Sequence, residues 1–195
     1  MVFTRRSLLT ALAASPALAM TGISLTAARP NPSLDLTPDC HDGDEHTVLQ
    51  TEGPYFKPNS PLKRNLAADA PRGGRMTIGG RVLDTACGPV PKALVQVWHA
   101  DEEGTYDTTG YRLRGYQYSD EVGRWWFSTI VPGAYSGRTR HYHFKVQKPG
   151  GRILTTQLYF PGEPLNDRDS LFDRRLVLRV SDSDDGRLGQ FDFVL

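Results

Sequence analysis

Helical periodicity is missing from this sequence. No stretch after the N-terminal apolar run repeats apolar positions at three- and four-residue spacing, which argues against a helical bundle. Charge of one sign is missing too. The 23 Lys and Arg against 22 Asp and Glu leave +1 over 195 residues, so nothing electrostatic points to nucleic acid as a partner. The apolar run itself, from Leu8 to about Ala19, is too short for a comfortable membrane span. Cysteine is scarce. Cys40 and Cys87 allow a single disulfide, and neither directly follows the apolar run as a lipid-anchored cysteine would. There is no internal repeat and no low-complexity segment. Glycine and proline, by contrast, are plentiful (19 and 14), and 38% hydrophobic residues are enough for one core. That mixture suits a turn-rich β protein of one domain.

The opening "MVFTRRSLLTALAASPALAM" places a positive region before the apolar run and Ala-Leu-Ala near its end, the pattern of an export signal over residues 1–28. Arg5 and Arg6, followed by Ser7, Leu8 and Leu9, resemble a twin-arginine signal; the alternative is an ordinary secretory signal that happens to hold two arginines. The expectation is an exported protein, periplasmic or secreted, with no membrane anchor once the signal is removed. In such a compartment Cys40 and Cys87 are expected to pair, with two free thiols as the alternative. Residues 29–50 read as a linker and arm crossing the domain surface, and 51–195 as the main domain.

Seven short candidate strands follow at 76–84, 93–100, 124–130, 141–147, 153–160, 174–180 and 190–195, separated by turn signals. Gly79-Gly80 suggests a bulge or a close backbone approach, and "PGG" at 149–151 a hairpin turn. The fold expected is all-β, a two-sheet sandwich with long functional loops.

The segment "GRTRHYHFKV" (137–146) carries the first chemical hint. In a strand, residues two apart share a face roughly 6.5–7 Å apart. His141, His143 and Lys145 then point one way, and Tyr142, Phe144 and Val146 pack the other. Two imidazoles so spaced can chelate one ion, although most such pairs are ordinary strand residues. Tyr106 and Tyr135 sit in loops past strand ends, where a rigid β scaffold commonly carries its ligands. A phenol with a reference pKa of about 10 is a poor ligand at neutral pH. A trivalent iron changes that, because a strong cation favours phenolate and imidazole suits iron. Taken singly, each tyrosine is more simply a turn residue. Trp98 receives no chemistry, and His99, on the face of Val95 and Val97, reads as a hydrogen-bonded core or rim residue.

Five ordered blocks make a resemblance: "TEGPYF" (51–56), "GRVLDTACGPVPKALVQVWHADEEGTY" (80–106), "RGYQYSDEVGRWWFSTIVPGAY" (114–135), "GRTRHYHFKV" (137–146) and "LTTQLYFPGEP" (154–164). In this order they resemble the intradiol ring-cleavage dioxygenases, the family of protocatechuate 3,4-dioxygenase and catechol 1,2-dioxygenase. The resemblance implies one Fe(III) per chain held by Tyr106, Tyr135, His141 and His143, with Tyr135 and His143 axial and Tyr106 and His141 equatorial. It implies catalytic roles for Arg138, Gln157 and a displaceable Tyr135, and substrate contacts at Pro54 and Tyr55. The activity implied is cleavage of a catechol-type diol between its hydroxylated carbons by O2, giving a cis,cis-muconate-type diacid.

The chain departs from the family in two ways. Residues 21–50 are too short for the helical dimerisation region of catechol 1,2-dioxygenases, and the export signal is unlike soluble catabolic enzymes. The expectation is therefore a stand-alone catalytic core of an exported branch, with homo-oligomerisation left open. An acid group on the diol would need a cation, for which Arg112, Arg114 and Arg140 are candidates. The rivals are a non-catalytic, transthyretin-like β-sandwich module, which "GRVLDTACGPVPKALVQVW" also resembles, and a zinc or copper site built on H-x-H.

Overall fold

The structure, a computed structural model, describes residues 45–195. Nine strands run in order β1 (Arg75–Leu83), β2 (Leu94–Trp98), β3 (Arg114–Tyr118), β4 (Arg124–Ile130), β5 (His141–Gln147), β6 (Ile153–Tyr159), β7 (Arg179–Ser183), β8 (Gly186–Gln190) and β9 (Phe193–Val194). They form two sheets. One is ordered β4-β1-β8-β7, with β9 also pairing β1; the other is β3-β2-β5-β6. The all-β sandwich expected from the turn-rich sequence is what forms. The only helical pieces among the described residues are 3-10 turns at Ala67–Asp69 and Arg174–Leu176.

Period-two patterning decides which side chains enter the core. Ile78 of β1 and Trp125 and Phe127 of β4 meet Val95, Val97, Tyr142, Phe144 and Val146 of the opposite sheet, all without exposed surface. Trp125 sits 5.3 Å from Phe144 and 5.2 Å from Phe193 between ring centroids. Burying each such side chain contributes on the order of 1.5–3 kcal/mol. The Tyr142 hydroxyl, which must be paired once buried, donates to the Ile130 carbonyl at 2.9 Å.

β1 changes partner halfway along. Met76–Gly79 pair with β8 in parallel, and Val82–Leu83 pair with β9. Between them the chain bulges at Phe191 against the face of β1, and a Cβ at Gly80 would lie 1.8 Å from the Phe191 carbonyl oxygen. The close approach expected from Gly79-Gly80 is thus real, and only glycine permits it.

Several strand expectations need correction. Residues 174–180 are not one strand: a 3-10 turn capped by Asp173 occupies Arg174–Leu176, and β7 begins at Arg179. Residues 190–195 are likewise split by the bulge at Phe191, with β8 ending at Gln190 and β9 covering Phe193–Val194. β3 was not anticipated. Its sequence RGYQY buries Arg114, Gly115 and Gln117, a polar set that hides the usual apolar alternation.

Of the arm, residues 45–50 are described. Thr47 donates its backbone N–H to Val194 and Gln50 to Thr155, so this segment lies along the sandwich. Residues 1–28 and Cys40 lie outside the described residues. Cys87 is disulfide-bonded and no described cysteine is free.

Candidate metal centre

The β3-β2-β5-β6 sheet has a second face, and it is not open to solvent. Its register lines up one row of side chains across four strands: Gln157 opposite His143, His143 opposite Trp98, and Trp98 opposite Arg114. The adjacent row pairs Tyr159 with His141. All six are buried. The cover comes from loops: residues 51–56, the β2–β3 loop with Tyr106, the β4–β5 loop with Tyr135 and Arg138, and the β6–β7 connection with Asp169.

Local turn chemistry fixes each loop. Asp101 and Asp107 bracket Tyr106. Asp101 Oδ1 accepts from Thr105 N at 2.8 Å, and Asp107 Oδ1 accepts from Gly110 N at 2.7 Å. The Asp101 carbonyl also accepts from Gly133 N at 2.7 Å, which ties the two tyrosine-bearing loops together. Ser136 and Gly137, at φ 44° and 77°, reverse the chain so that Arg138 N reaches the Tyr135 carbonyl at 2.7 Å. Tyr135 and Arg138 therefore enter the site side by side.

His141 Nδ1 lies 2.6 Å from the Thr139 carbonyl. A carbonyl can only accept, so Nδ1 carries the proton and Nε2 presents a lone pair. That Nε2 lies 3.1 Å from His143 Nε2 and 3.3 Å from the Tyr106 hydroxyl. Two donors about 2.1 Å from a shared ion and at right angles would sit about 3 Å apart. His143 Nδ1 is buried without a partner. With its proton on Nδ1, the two Nε2 lone pairs face each other; with it on Nε2, a bare Nδ1 lone pair is buried. A cation against the Nε2 atoms removes the first conflict, so the residues fit a metal. Tyr135 completes the ring of donors, 5.4 Å from Tyr106 and 5.8 Å from His141 between centroids. Among the described residues no three His, Cys, Asp or Glu gather to hold an ion, so a metal here draws on the phenols.

The protonation states suit that set. Burial, then the Arg138 charge, pulls His141 down to about 4, against the pull of its backbone bond. Burial and the neighbouring imidazole hold His143 well below its ordinary value. Both rings are neutral at neutral pH, the form in which an imidazole can bind a metal. Burial, reinforced by Tyr135, pushes the Tyr106 phenol up, and burial raises Tyr135 against the opposing charge of Arg138. Each phenol keeps its proton until a strong cation displaces it.

Around the donors stands an aromatic wall. Tyr55 stacks on Tyr106 at 4.4 Å, and Trp98 lies flat on His143 at 4.9 Å. Gly53, at φ +72°, passes so close that a Cβ would meet His143 Cε1 at 3.2 Å. Pro54 is exposed at the rim. Arg138 donates from Nη2 to Gln157 Oε1 at 2.6 Å and from Nε to both Asp169 oxygens at 2.9 Å. Gln157 in turn donates from Nε2 to the Thr51 carbonyl at 3.0 Å.

Tyr55, Tyr106, Tyr135, Arg138, His141, His143 and Gln157 thus fall in one place. The sequence reading missed Tyr159, Gln50 and Asp169. Tyr159 was within reach, being two residues beyond Gln157 on the same strand face. Its hydroxyl donates to the Gln50 side chain at 2.7 Å. Asp169 lies in a loop with no periodicity and offered no signal. His99 is a core residue as expected: Nδ1 reaches the Ala100 carbonyl and Nε2 the Thr129 hydroxyl, each at 2.7 Å.

This fold and site place the chain among the dioxygenases, and a family model described as "Dioxygenase" matches residues 51–195. The chlorocatechol 1,2-dioxygenase of Rhodococcus opacus is 32% identical, over 76% of this chain and 72% of the relative. The hydroxyquinol 1,2-dioxygenase of Rhizobium sp. (strain MTP-10005) is 31% identical over 66% of this chain; the chain spans about half of that protein, 51%. Among solved structures, the dioxygenase domain of a dioxygenase–carbohydrate-binding protein fusion from Streptomyces sp. SirexAA-E is 49% identical, with a TM-score of 0.75 over 77% of this chain and 98% of that one. The chain belongs to the intradiol ring-cleavage dioxygenase family.

Proposed function

We propose that the protein is a non-haem Fe(III)-dependent intradiol dioxygenase. It would cleave a catechol-type diol between its hydroxylated carbons with O2 and release a cis,cis-muconate-type diacid. The observation that carries this is the convergence of His141 Nε2 on His143 Nε2 and the Tyr106 hydroxyl, at 3.1 and 3.3 Å, with Tyr135 beside them. A non-catalytic transthyretin-like module has no use for two neutral imidazoles and two phenols buried against one another. Divalent or softer ions seldom recruit paired phenolates, which disfavours a zinc or copper centre.

Held by Tyr106, Tyr135, His141 and His143, Fe(III) would supply a Lewis-acidic centre that binds the diol as its dianion and makes the ring reactive toward O2. The chain's own groups do the rest. Tyr135 is the less buried of the two phenols, and its raised proton affinity suits its Oη to hold a proton taken from the diol. Arg138 presents a fixed cation to negative charge developing on the ring. Gln157 holds Arg138 through Oε1 and keeps one amide hydrogen beyond its bond to Thr51. Tyr55, Tyr106 and Trp98 keep water from the sheet face.

Each of the three candidate cations for an acidic diol already donates to a carbonyl or carboxylate of the chain, although Arg114 keeps a buried Nε without a partner. Arg114 is buried and donates to the Tyr55 and Asp107 carbonyls at 3.0 and 2.7 Å; Arg140 pairs with Glu163 at 3.4 Å. Arg112 is exposed, 3.4 Å from the Asp69 carbonyl. This supports a diol without a carboxylate. A turnover screen tests it: catechol or hydroxyquinol should give at least about tenfold higher kcat/KM than protocatechuate, one O2 consumed per ring. No O2 uptake with any diol would overturn the proposed activity. For residues 1–28 we propose twin-arginine export; replacing Arg5 and Arg6 with Lys should leave the protein in the cytoplasm.

A further inference from the structure

Asp169 belongs to none of the motifs that point to this family, yet it is built into the site. It stands on the loop between β6 and the Arg174–Leu176 turn, and its carboxylate has no exposed surface. Both oxygens lie 2.9 Å from the single Nε of Arg138. They also accept from Thr139 N at 2.9 Å and Leu171 N at 3.0 Å, so the carboxylate is itself immobile. A guanidinium offers five N–H groups in one rigid plane. Here Nε is taken by Asp169 and one hydrogen of Nη2 by Gln157 Oε1. Nη2 also lies 3.5 Å from the Tyr159 hydroxyl, so the plane is fixed and Nη1 is the end of the guanidinium outside these contacts. Burial works against the charge of each partner. The contact with Asp169 outweighs it for Arg138, which is held above its ordinary value, and the Leu171 N–H, Arg138 and the Thr139 N–H together hold Asp169 below its own.

We propose that Asp169 is a positioning residue: it aims the Arg138 guanidinium at the ring of the bound diol and acts on the reaction only through Arg138. The proposal rests on the dioxygenase reading of the site. Losing Asp169 leaves a half-buried cation held only at Nη2, by Gln157 and more distantly by Tyr159, and able to turn toward solvent. Misplacement of a charge-stabilising group costs rate more than binding.

The test uses iron-loaded full-length protein and catechol as probe. Asp169→Asn keeps an acceptor oxygen for Thr139 N but removes the charge. It should keep its iron and its phenolate-to-iron colour, bind catechol anaerobically within about threefold of wild type, and lose roughly 10- to 100-fold in kcat. The double variant Arg138→Gln/Asp169→Asn should be no slower than Arg138→Gln alone, within about threefold, because one residue acts through the other. Wild-type kcat in Asp169→Asn, losses that multiply in the double variant, or activity that falls only in proportion to iron would each overturn the proposal. Should Asp169→Asn not fold, Asp169→Glu keeps the charge but displaces it. A kcat reduced severalfold with unchanged catechol affinity supports the role, and an unchanged kcat overturns it. Wild-type protein that turns over no diol would instead overturn the dioxygenase reading, whatever the variants do.

Discussion

The Tyr106 phenol is buried between Tyr55 and Tyr135, and burial raises its proton affinity. Tyr135 is shifted the same way. A metal that takes both oxygens must expel both protons, so loading competes with acid. The apparent Fe(III) affinity is expected to fall about 100-fold per pH unit as pH drops from 7.5 to 6.5, two protons being released, after correction for the chelator in a competition titration. Tyr106→Phe should lose one of the two, giving about tenfold per unit, and should also lower iron occupancy, as should His141→Ala. Both variants are expected to keep the β circular dichroism of wild type. Full iron in both would contradict the ligand assignment. Gly53 is a different kind of dependence. Its φ of +72° and the His143 ring 3.2 Å from a notional Cβ predict that Gly53→Ala costs about 1–2 kcal/mol in urea unfolding.

At the scale of elements, the sheet register is what turns H-x-H into half of a donor set. β5 puts Tyr142, Phe144 and Val146 into the core and His141 and His143 on the far face. That division was legible from alternation alone. What alternation could not say is that the far face is covered, because the cover comes from loops distant in sequence. The tyrosines were legible through the resemblance, not through spacing. β3 and Asp169 were not legible: Arg114 is buried by hydrogen bonds to loop carbonyls and Asp169 by a partner 31 residues away, and neither follows a local pattern. The close approach at Gly80 offers a test at this scale. A Cβ there would overlap the Phe191 carbonyl, backbone against backbone. Gly80→Ala is expected to cost at least about 3 kcal/mol and to loosen β9 first, seen as faster amide exchange at Phe193 and Val194.

For the whole molecule, acid should act through buried neutral imidazoles. His99 is held at about 4 by burial, against an ordinary value of 6.5. The unfolded chain therefore binds a proton between those values that the folded one refuses, so stability is full above 6.5 and is lost as pH falls toward 4. The loss is about 3 kcal/mol for a shift of this size. Urea midpoints at pH 7, 5.5 and 4.5 should fall in step, and His99→Gln should flatten the slope. The site and the sandwich meet in the central proposal, that this is an iron protein whose metal is bound by phenolate. Full-length protein reconstituted with Fe(III) measures it most directly. The prediction is about one iron per chain, a red to burgundy phenolate charge-transfer band, and a shift of that band on adding catechol without oxygen. Colourless protein that retains no iron after reconstitution would contradict it.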